Sequence, residues 1–213
     1  MQITVFGAAG NVGSRVVTEA VGRGHEVTAV VRDAARFREL HPQARHRVGD
    51  AASTEEVVAL AEGQDLLIGA TRPAPGTEGG LLAATRGLLA GAGKTGVRLL
   101  LVGGAGSLTV PGSGGLTVLE TPDFPADWRP IAEACGEQLD AALAAPEAVD
   151  WAYLSPAAIL EPGERTGTYR LGTDELVVAA DGTSAVSMED LAVALVDEAE
   201  RPRHRRMRFT VGY

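Results

Sequence analysis

The chain has few residues that could supply a thiol, an amine or an imidazole to a reaction. Its single cysteine, Cys135, excludes an internal disulfide. It falls in a helical pattern with no histidine near it in the sequence, so we interpret it as a small hydrophobic residue rather than a nucleophile. Of the nineteen Lys and Arg residues only Lys94 is lysine, so any mechanism that needs an active-site lysine has one candidate.

Long apolar runs and a basic surface are also missing. No stretch approaches the length of a membrane span, and a predicted strand begins at Gln2 without a basic and then apolar leader, so we expect a cytoplasmic protein with no membrane partner. The net charge of −9 argues against a nucleic-acid partner, because such a partner requires a basic surface. We interpret the basic run 201–208 as a solvated connection. With 45% hydrophobic and 22% charged residues, the 213 residues fit one globular domain, 1–213.

A glycine-rich turn after the first predicted strand organises the chain. The apolar run 2–6 stops at Gly7, and apolar residues then recur at helical spacing from Val12 to Val21. Gly7 allows a tight turn, Gly10 keeps side-chain atoms away from a pyrophosphate, and Gly13 lets the helix pack close to the strand. The free N–H groups at the start of the helix, with the positive end of its dipole, would face the phosphates. The pattern predicts dinucleotide binding by residues 7–13, among them Ala9, Asn11 and Val12; the alternative is an ordinary turn between strand and helix.

Strands and helices alternate through residue 154, which predicts an α/β fold with a doubly wound parallel sheet. Ligands of such sheets lie outside the carboxyl ends of the strands, so candidate residues are sought there. Further along, we predict a polar hairpin-like segment at 161–170, a short strand near 176–179, a helix capped by Ser187 and a final strand at 207–211. The predicted strands are 2–6, 26–31, 44–48, 65–68, 97–102 and 151–154, and the predicted helices begin near residues 11, 34, 53, 78 and 131.

Two strand ends point to the adenosine half of a cofactor. Arg32 ends the second strand, nineteen residues after Gly13, where an acidic residue would bind the ribose of NAD. A cation there suits the 2′-phosphate of NADP, so we predict NADPH with NAD possible; the alternative is a solvated arginine. Asp33 would repel a phosphate unless it caps the next helix, as we suppose. Asp50 would accept a hydrogen bond from the adenine amino group while the Ala51 N–H meets a ring nitrogen, or Asp50 closes a turn.

The next two strand ends would flank the nicotinamide and its ribose. They carry Ala70, Thr71 and Arg72, and then Gly103, Gly104 and Ala105, whose small residues let a flat ring approach the backbone. Ser107 is the one hydroxyl near this end that could donate to an acceptor, although it could equally be an ordinary turn serine.

A proton relay of the common dehydrogenase type is missing. There is no Tyr-x-x-x-Lys motif, Lys94 precedes a strand and so lies at the wrong edge, and no histidine follows a strand. Hydride transfer to a ring that needs no relay, such as an oxidised flavin or a quinone, remains possible because the cofactor supplies the chemistry. A nicotinamide-sensing binding protein is the alternative that the same inventory allows. No cluster of residues predicts a metal site.

The chain resembles the atypical short-chain dehydrogenase/reductase family, most closely the NADH-flavin reductase group related to flavin and biliverdin reductases and to NmrA-like proteins. The shared segments cover nearly the whole chain: 7–13, 102–108, 121–125, 154–158, 161–167 and 187–190.

The resemblance implies a Rossmann-type fold with a small C-terminal appendage on the substrate side. It implies that Pro156 contacts the cofactor, that Ser107 lies near the reacting ring as the candidate catalytic residue, and that 108–130 and 155–186 form loops on the substrate side. A small-molecule acceptor and a monomer or homodimer are expected.

Overall fold

A computed structural model describes residues 1–213 as one eight-stranded sheet with helices on both faces. The strands are β1 (Gln2–Phe6), β2 (Glu26–Val31), β3 (Arg45–Val48), β4 (Leu66–Gly69), β5 (Arg98–Val102), β6 (Trp151–Ser155), β7 (Ile159–Glu161), β8 (Arg170–Gly172), β9 (Ala185–Ser187) and β10 (Met207–Gly212). Their order in the sheet is β3-β2-β1-β4-β5-β6-β10-β8, all parallel except β8, and β7 and β9 form a separate parallel pair. The predicted doubly wound fold is therefore confirmed. The helices are α1 (Asn11–Gly22), α2 (Thr54–Ala61), α3 (Gly79–Thr95), α4 (Arg129–Leu143) and α5 (Met188–Glu200).

Two apolar cores lie on opposite faces of the sheet. Helices α1 and α5 cover one face, where Val16 and Leu195 pack with Ile3 of β1. Helices α2, α3 and α4 cover the other, where Leu88 packs with Leu67 of β4. Strands buried on both faces need apolar residues at nearly every position, which explains the continuous runs in β1, β4 and β5. No helix combines the length and the apolar character needed to cross a bilayer.

The segment after β7 differs from our expectation. Residues 161–170 form no hairpin, because their polar groups bind to helices: the Gly163 N–H donates to Glu189, and Arg165 pairs with Glu19 of α1 at 2.7 Å. The prediction of a strand near 176–179 is also wrong, since β8 (Arg170–Gly172) takes the edge beside β10. We name residues 163–169 the strap.

Part of the segment 155–186, which we expect on the substrate side, packs along two helices. The strap runs along α1 and α5, where Thr166 Oγ1 donates to Asp190 and Tyr169 donates to Asp197. The 108–130 segment stays close to the carboxyl edge of the sheet. It contains 3₁₀ turns at 118–120 and 126–128, and Thr109 pairs with Thr117 at its base.

Candidate functional site

The turn after β1 is built by backbone packed directly against backbone. Gly7 has φ +79°, and a Cβ added there would lie 2.5 Å from the carbonyl oxygen of Ala70. A Cβ on Gly13 would lie 2.1 Å from the Gly7 carbonyl oxygen. Real Cβ atoms do not approach oxygen so closely, so the first and third glycines are required by the turn and by the packing of α1 against it.

The start of α1 presents free donors to the carboxyl edge of the sheet. The backbone N–H groups of Asn11, Val12 and Gly13 donate to no group of the protein, and the N-cap residue Gly10 has no side chain to satisfy them. No acidic side chain occupies the first turn. Three unsatisfied N–H groups at the positive end of a helix dipole form a cradle of the size and charge that a diphosphate fills, so these residues fit a dinucleotide.

The end of β2 carries two arginines. Arg32 is exposed and has no hydrogen-bond or ion-pair partner in the structure. Asp33 accepts from the Ala35 N–H at 2.8 Å, so it caps the 3₁₀ helix 34–39, as supposed from the sequence. Arg36, which sequence reasoning missed, donates to the Ala9 carbonyl at 2.9 Å and pairs with Glu39 at 2.7 Å. The sequence signal that could have identified Arg36 is its position shortly after Arg32.

The end of β3 shows the turn-closing arrangement of Asp50. Its Oδ1 accepts from the Ala52 N–H at 2.9 Å, and its own N–H donates to Glu56 at 2.8 Å. Glu56 therefore reaches back to Asp50 instead of completing a capping box with Ser53, whose side chain does accept from the Glu56 N–H. Ala51 is buried behind this turn, and the second carboxylate oxygen of Asp50 is not engaged.

The ends of β4 and β5 lie side by side. Ala70 continues the ladder of β4 by donating to the Phe6 carbonyl at 3.0 Å, with Thr71 half-buried and Arg72 exposed beyond it. Gly103 donates to the Leu154 carbonyl at 2.9 Å, and Gly104 and Ala105 follow, half-buried. The predicted nicotinamide residues thus share the carboxyl edge with the glycine turn.

Two side chains fill the space beside the glycines of the turn after β5. A Cβ on Gly103 would lie 1.9 Å from the Tyr153 ring, and one on Gly104 would lie 3.0 Å from Cys135 Sγ. Burial raises the pKa of the Cys135 thiol to about 11, against the opposing charge of Arg72. The thiol is therefore protonated at neutral pH, in agreement with its interpretation as a small hydrophobic residue.

Ser107 has a partner that sequence reasoning missed. Its hydroxyl accepts from Nη1 of Arg208 at 2.8 Å, and Arg208 belongs to β10, two strands away from β5. Only the topology could reveal this contact, because Arg208 lies in the run that we interpreted as a solvated connection. Pro156 is buried immediately after β6.

The tyrosine hydroxyls are all engaged in hydrogen bonds. Tyr153 donates to the Cys135 carbonyl at 2.9 Å, Tyr169 bonds to Asp197, and Tyr213 contacts Ser187 at 2.9 Å. Burial raises the pKa of Tyr153 well above its ordinary value. Lys94 lies in the last turn of α3, just before β5 and so at the amino edge of the sheet.

A family model for NAD(P)H-binding proteins matches residues 7–202, nearly the whole chain. The chain belongs to this NAD(P)H-binding family. A nicotinamide cofactor at the carboxyl edge agrees with the family, and the resemblance to atypical short-chain dehydrogenases/reductases is confirmed.

Relatives of this NAD(P)H-binding protein span its full length. The YwnB protein of Bacillus subtilis is 39% identical over 215 residues, which cover 99% of this chain and 98% of YwnB. A crystal structure of a putative epimerase from Bacteroides thetaiotaomicron matches with a TM-score of 0.90 and 38% identity, covering 100% of this chain and 96% of that one. A putative NADH-flavin reductase from Streptococcus pneumoniae matches with a TM-score of 0.85 and 31% identity, covering 100% and 99%.

Proposed function

We propose that this protein is an NADPH-dependent reductase that transfers hydride to a flavin or a similar flat conjugated acceptor, such as a quinone. The observation that carries the proposal is a dinucleotide cradle beside a second turn that offers a serine hydroxyl but no free tyrosine or lysine. Such a site suits an acceptor whose own ring stabilises the reduced product. The flavin reductase name of the Streptococcus relative supports the same substrate class.

Each part of the edge has a role in this proposal. The N–H groups of α1 hold the diphosphate, Arg32 meets the 2′-phosphate, and Asp50 with Ala51 faces the adenine. The residues 70–72 and 103–105, with Pro156, flank the nicotinamide and its ribose. The bound cofactor would supply the hydride, and the residues at the carboxyl edge would hold its nicotinamide beside the acceptor. Ser107 donates a hydrogen bond to the acceptor atom on which negative charge develops.

The loop 122–130 supplies an aromatic surface for a flat ring. The Trp128 side chain is 57% exposed, and the Arg129 guanidinium lies 5.7 Å from the centre of the Phe124 ring. This loop leads into α4, where Ala132 and Cys135 would meet a Cβ added at Gly106 and at Gly104 in the turn after β5. An exposed indole offers a stacking surface that would suit a conjugated acceptor.

Turnover with defined acceptors tests the proposal. NADPH oxidation is followed by the nicotinamide absorbance with FMN, riboflavin and a soluble quinone, and NADPH binding is measured separately by titration. We expect turnover with at least one of the three. Tight NADPH binding without turnover of any of them would reject the reductase proposal.

A nucleotide-sensing role of the NmrA-like kind is the second candidate. The hydrogen bonds that engage every tyrosine hydroxyl favour it, because they leave few groups for proton transfer. Equal affinity for NADP⁺ and NADPH, together with capture of a partner protein that depends on the nucleotide, is the expected result for a sensor. We further propose a cytoplasmic location and a monomer or homodimer.

A further inference from the structure

The Ser107 hydroxyl is oriented by Arg208 of β10, which lies two strands away from β5 in the sheet. Arg208 Nη1 donates to Ser107 Oγ at 2.8 Å and to the Ser107 carbonyl at 3.2 Å. The Arg208 side chain is only 10% exposed, so its guanidinium is held in place by the surrounding protein. A serine hydroxyl has one hydrogen to donate and two lone pairs. Since Arg208 occupies a lone pair and Ser107 donates to no group of the protein, the hydroxyl hydrogen is left for a ligand.

Asp174 completes this arrangement from the other side of the guanidinium. Its Oδ1 accepts from Nη2 of Arg208 at 2.6 Å and from Nε at 2.9 Å. Asp174 is mostly exposed, but its carbonyl oxygen is bound by the Thr109 N–H at 2.9 Å, which ties it to the segment that follows Ser107. With Nε and Nη2 fixed by Asp174, the planar guanidinium can present only Nη1 to Ser107.

We propose that Arg208, oriented by Asp174, is a positioning residue that fixes the Ser107 hydroxyl as a hydrogen-bond donor to the acceptor. This inference rests on the proposed function and deepens it. A positive charge behind the oxygen polarises the O–H bond, and a fixed hydroxyl need not reorient when hydride arrives on the acceptor and negative charge develops there. The acceptor class that this geometry favours has a carbonyl or ring nitrogen at the edge of a conjugated system.

A double-mutant cycle distinguishes this role from simple support of the fold. Ser107→Ala removes the donor, and we expect kcat with the acceptor to fall about 100-fold, the effect of removing one donor to a developing negative charge. Arg208→Met keeps the apolar stem and should lower kcat about tenfold with little change in KM, because the interaction forms in the transition state. In the Ser107→Ala background, Arg208→Met should cause no further loss of kcat.

The conservative variant and a neighbouring arginine supply the controls. Arg208→Lys retains a charged donor and should recover part of kcat. Arg203→Met, in the same basic run, removes a side chain that has no hydrogen-bond partner in the structure, and it should leave kcat unchanged. NADPH affinity and thermal unfolding are measured for every variant. If Arg208→Met fails to fold, Asp174→Ala replaces it in the cycle, with an expected loss of about threefold that again disappears in the Ser107→Ala background.

The outcomes separate the two proposals. If wild type turns over no acceptor, the proposed function fails and this inference fails with it. If wild type is active and the losses from Ser107→Ala and Arg208→Met simply multiply, Arg208 acts on the fold or on the ligand by another route, and the inference alone is overturned. Binding of FMN to the NADP⁺-loaded protein, measured by flavin fluorescence, gives a readout without turnover. It should change little in Arg208→Met, and a loss of FMN affinity as large as the loss of kcat would overturn the transition-state role.

Discussion

The two glycine-rich turns at the carboxyl edge have similar compositions, but they pack against different kinds of atoms. In the turn 7–13, the atoms that would meet an added Cβ belong to the backbone, at Ala70 and at Gly7 itself. In the turn 103–107, they belong mainly to side chains, at Tyr153, Cys135 and Ala132. Backbone cannot leave its place without breaking the sheet, whereas a side chain can be exchanged or turned to another rotamer. The first turn is therefore fixed, and the second can be remodelled.

This difference matches the two halves of the proposed reaction. In the proposed reaction, the first turn would hold the diphosphate, a group that is the same in NAD and NADP. The second would face the acceptor, which varies among reductases of one fold, since function resides in a site and not in the fold. Substitutions at each turn test whether the two turns differ in this way.

The largest effect is expected for Gly13→Ala. Its Cβ would lie 2.1 Å from the Gly7 carbonyl oxygen, so α1 must move away from β1. We expect the free energy of unfolding to fall by about 3 kcal/mol, measured by urea denaturation. Gly22→Ala is the matched control, because a Cβ there meets nothing within 4 Å, and it should stabilise the same helix by about 0.5–1 kcal/mol. Equal stability of the two variants would contradict the tight packing.

Gly10→Val should remove cofactor binding without unfolding the protein. Gly10 has φ −79° and ψ 167°, which valine adopts. A Cβ there would lie 3.2 Å from the Gly7 carbonyl oxygen, against 2.1 Å for a Cβ on Gly13, so the turn must shift slightly and the cost to the fold is smaller than for Gly13→Ala. The branched side chain would stand before the N–H groups of α1 and remove one or two hydrogen bonds to the diphosphate, each about 1.5–3 kcal/mol. We expect NADPH affinity to fall about 100-fold in a calorimetric titration. Unchanged affinity would show that the turn has only a structural role.

Gly103→Ala tests whether the second turn can be remodelled. The new Cβ would overlap the Tyr153 ring, and we expect a loss of about 2 kcal/mol in the free energy of unfolding. Combining it with Tyr153→Leu should cost at least about 1 kcal/mol less than the sum of the single losses, because the smaller side chain makes room. Strict additivity would mean that the two turns do not differ in the proposed way.

Arg32→Glu should change the binding of the nucleotide and leave the binding of the acceptor unaffected. A guanidinium on the 2′-phosphate gives a preference for NADPH over NADH of roughly 10-fold to 150-fold, and screening of this exposed site favours the lower figure. The variant should lose that preference while KM for the acceptor stays unchanged. Arg38→Glu is the control, since Arg38 is exposed nearby on the 3₁₀ helix 34–39 that follows Arg32. If wild type binds NADH more tightly, Arg32 is wrongly assigned, and Arg36→Glu then tests the other arginine.

The smallest effect concerns Cys135 at alkaline pH. Its pKa in the folded protein is about 11, above the ordinary value of roughly 8.5 for a free thiol. The neutral thiol is therefore favoured by folding, and this contribution is complete below the unfolded pKa and is lost as pH rises toward 11. Between neutral and alkaline pH, the urea midpoint of wild type should fall slightly more than the urea midpoint of Cys135→Ala. An equal fall in the two proteins would contradict the raised pKa.

Local patterns made most of the fold predictable. The buried strands β1 and β2 could be bounded to the residue because apolar runs stop at a glycine or a charge. Ser187 accepts from the Asp190 N–H at 2.9 Å, the capping contact that the sequence predicts for α5. Residues 161–179 were misjudged because their conformation depends on contacts with distant residues such as Glu19 and Thr109, which no local pattern encodes.

In the candidate site, too, local positions could be predicted and long-range contacts could not. Residues placed by a strand end, such as Gly7, Arg32 and Gly103, follow from the order of elements alone. Arg208 reaches Ser107 across 101 residues of sequence, and its role depends on the position of β10 in the sheet. A contact between one strand and the turn after another, non-neighbouring strand is visible only when the sheet order is known.

The strap has a consequence for how the chain folds during synthesis. It joins α1 to α5 through contacts such as Arg165 with Glu19 and Tyr169 with Asp197. Arg23, which caps the end of α1, also pairs directly with Asp197 across 174 residues. At about 5–20 residues per second, α1 emerges from the ribosome many seconds before the helix that covers its side of the sheet. Until then the apolar face of β1 and β2 beside α1 stays open to water. The nascent chain should therefore depend on chaperones late in translation, and its folding rate should reflect these long-range contacts more than the stability of any one helix.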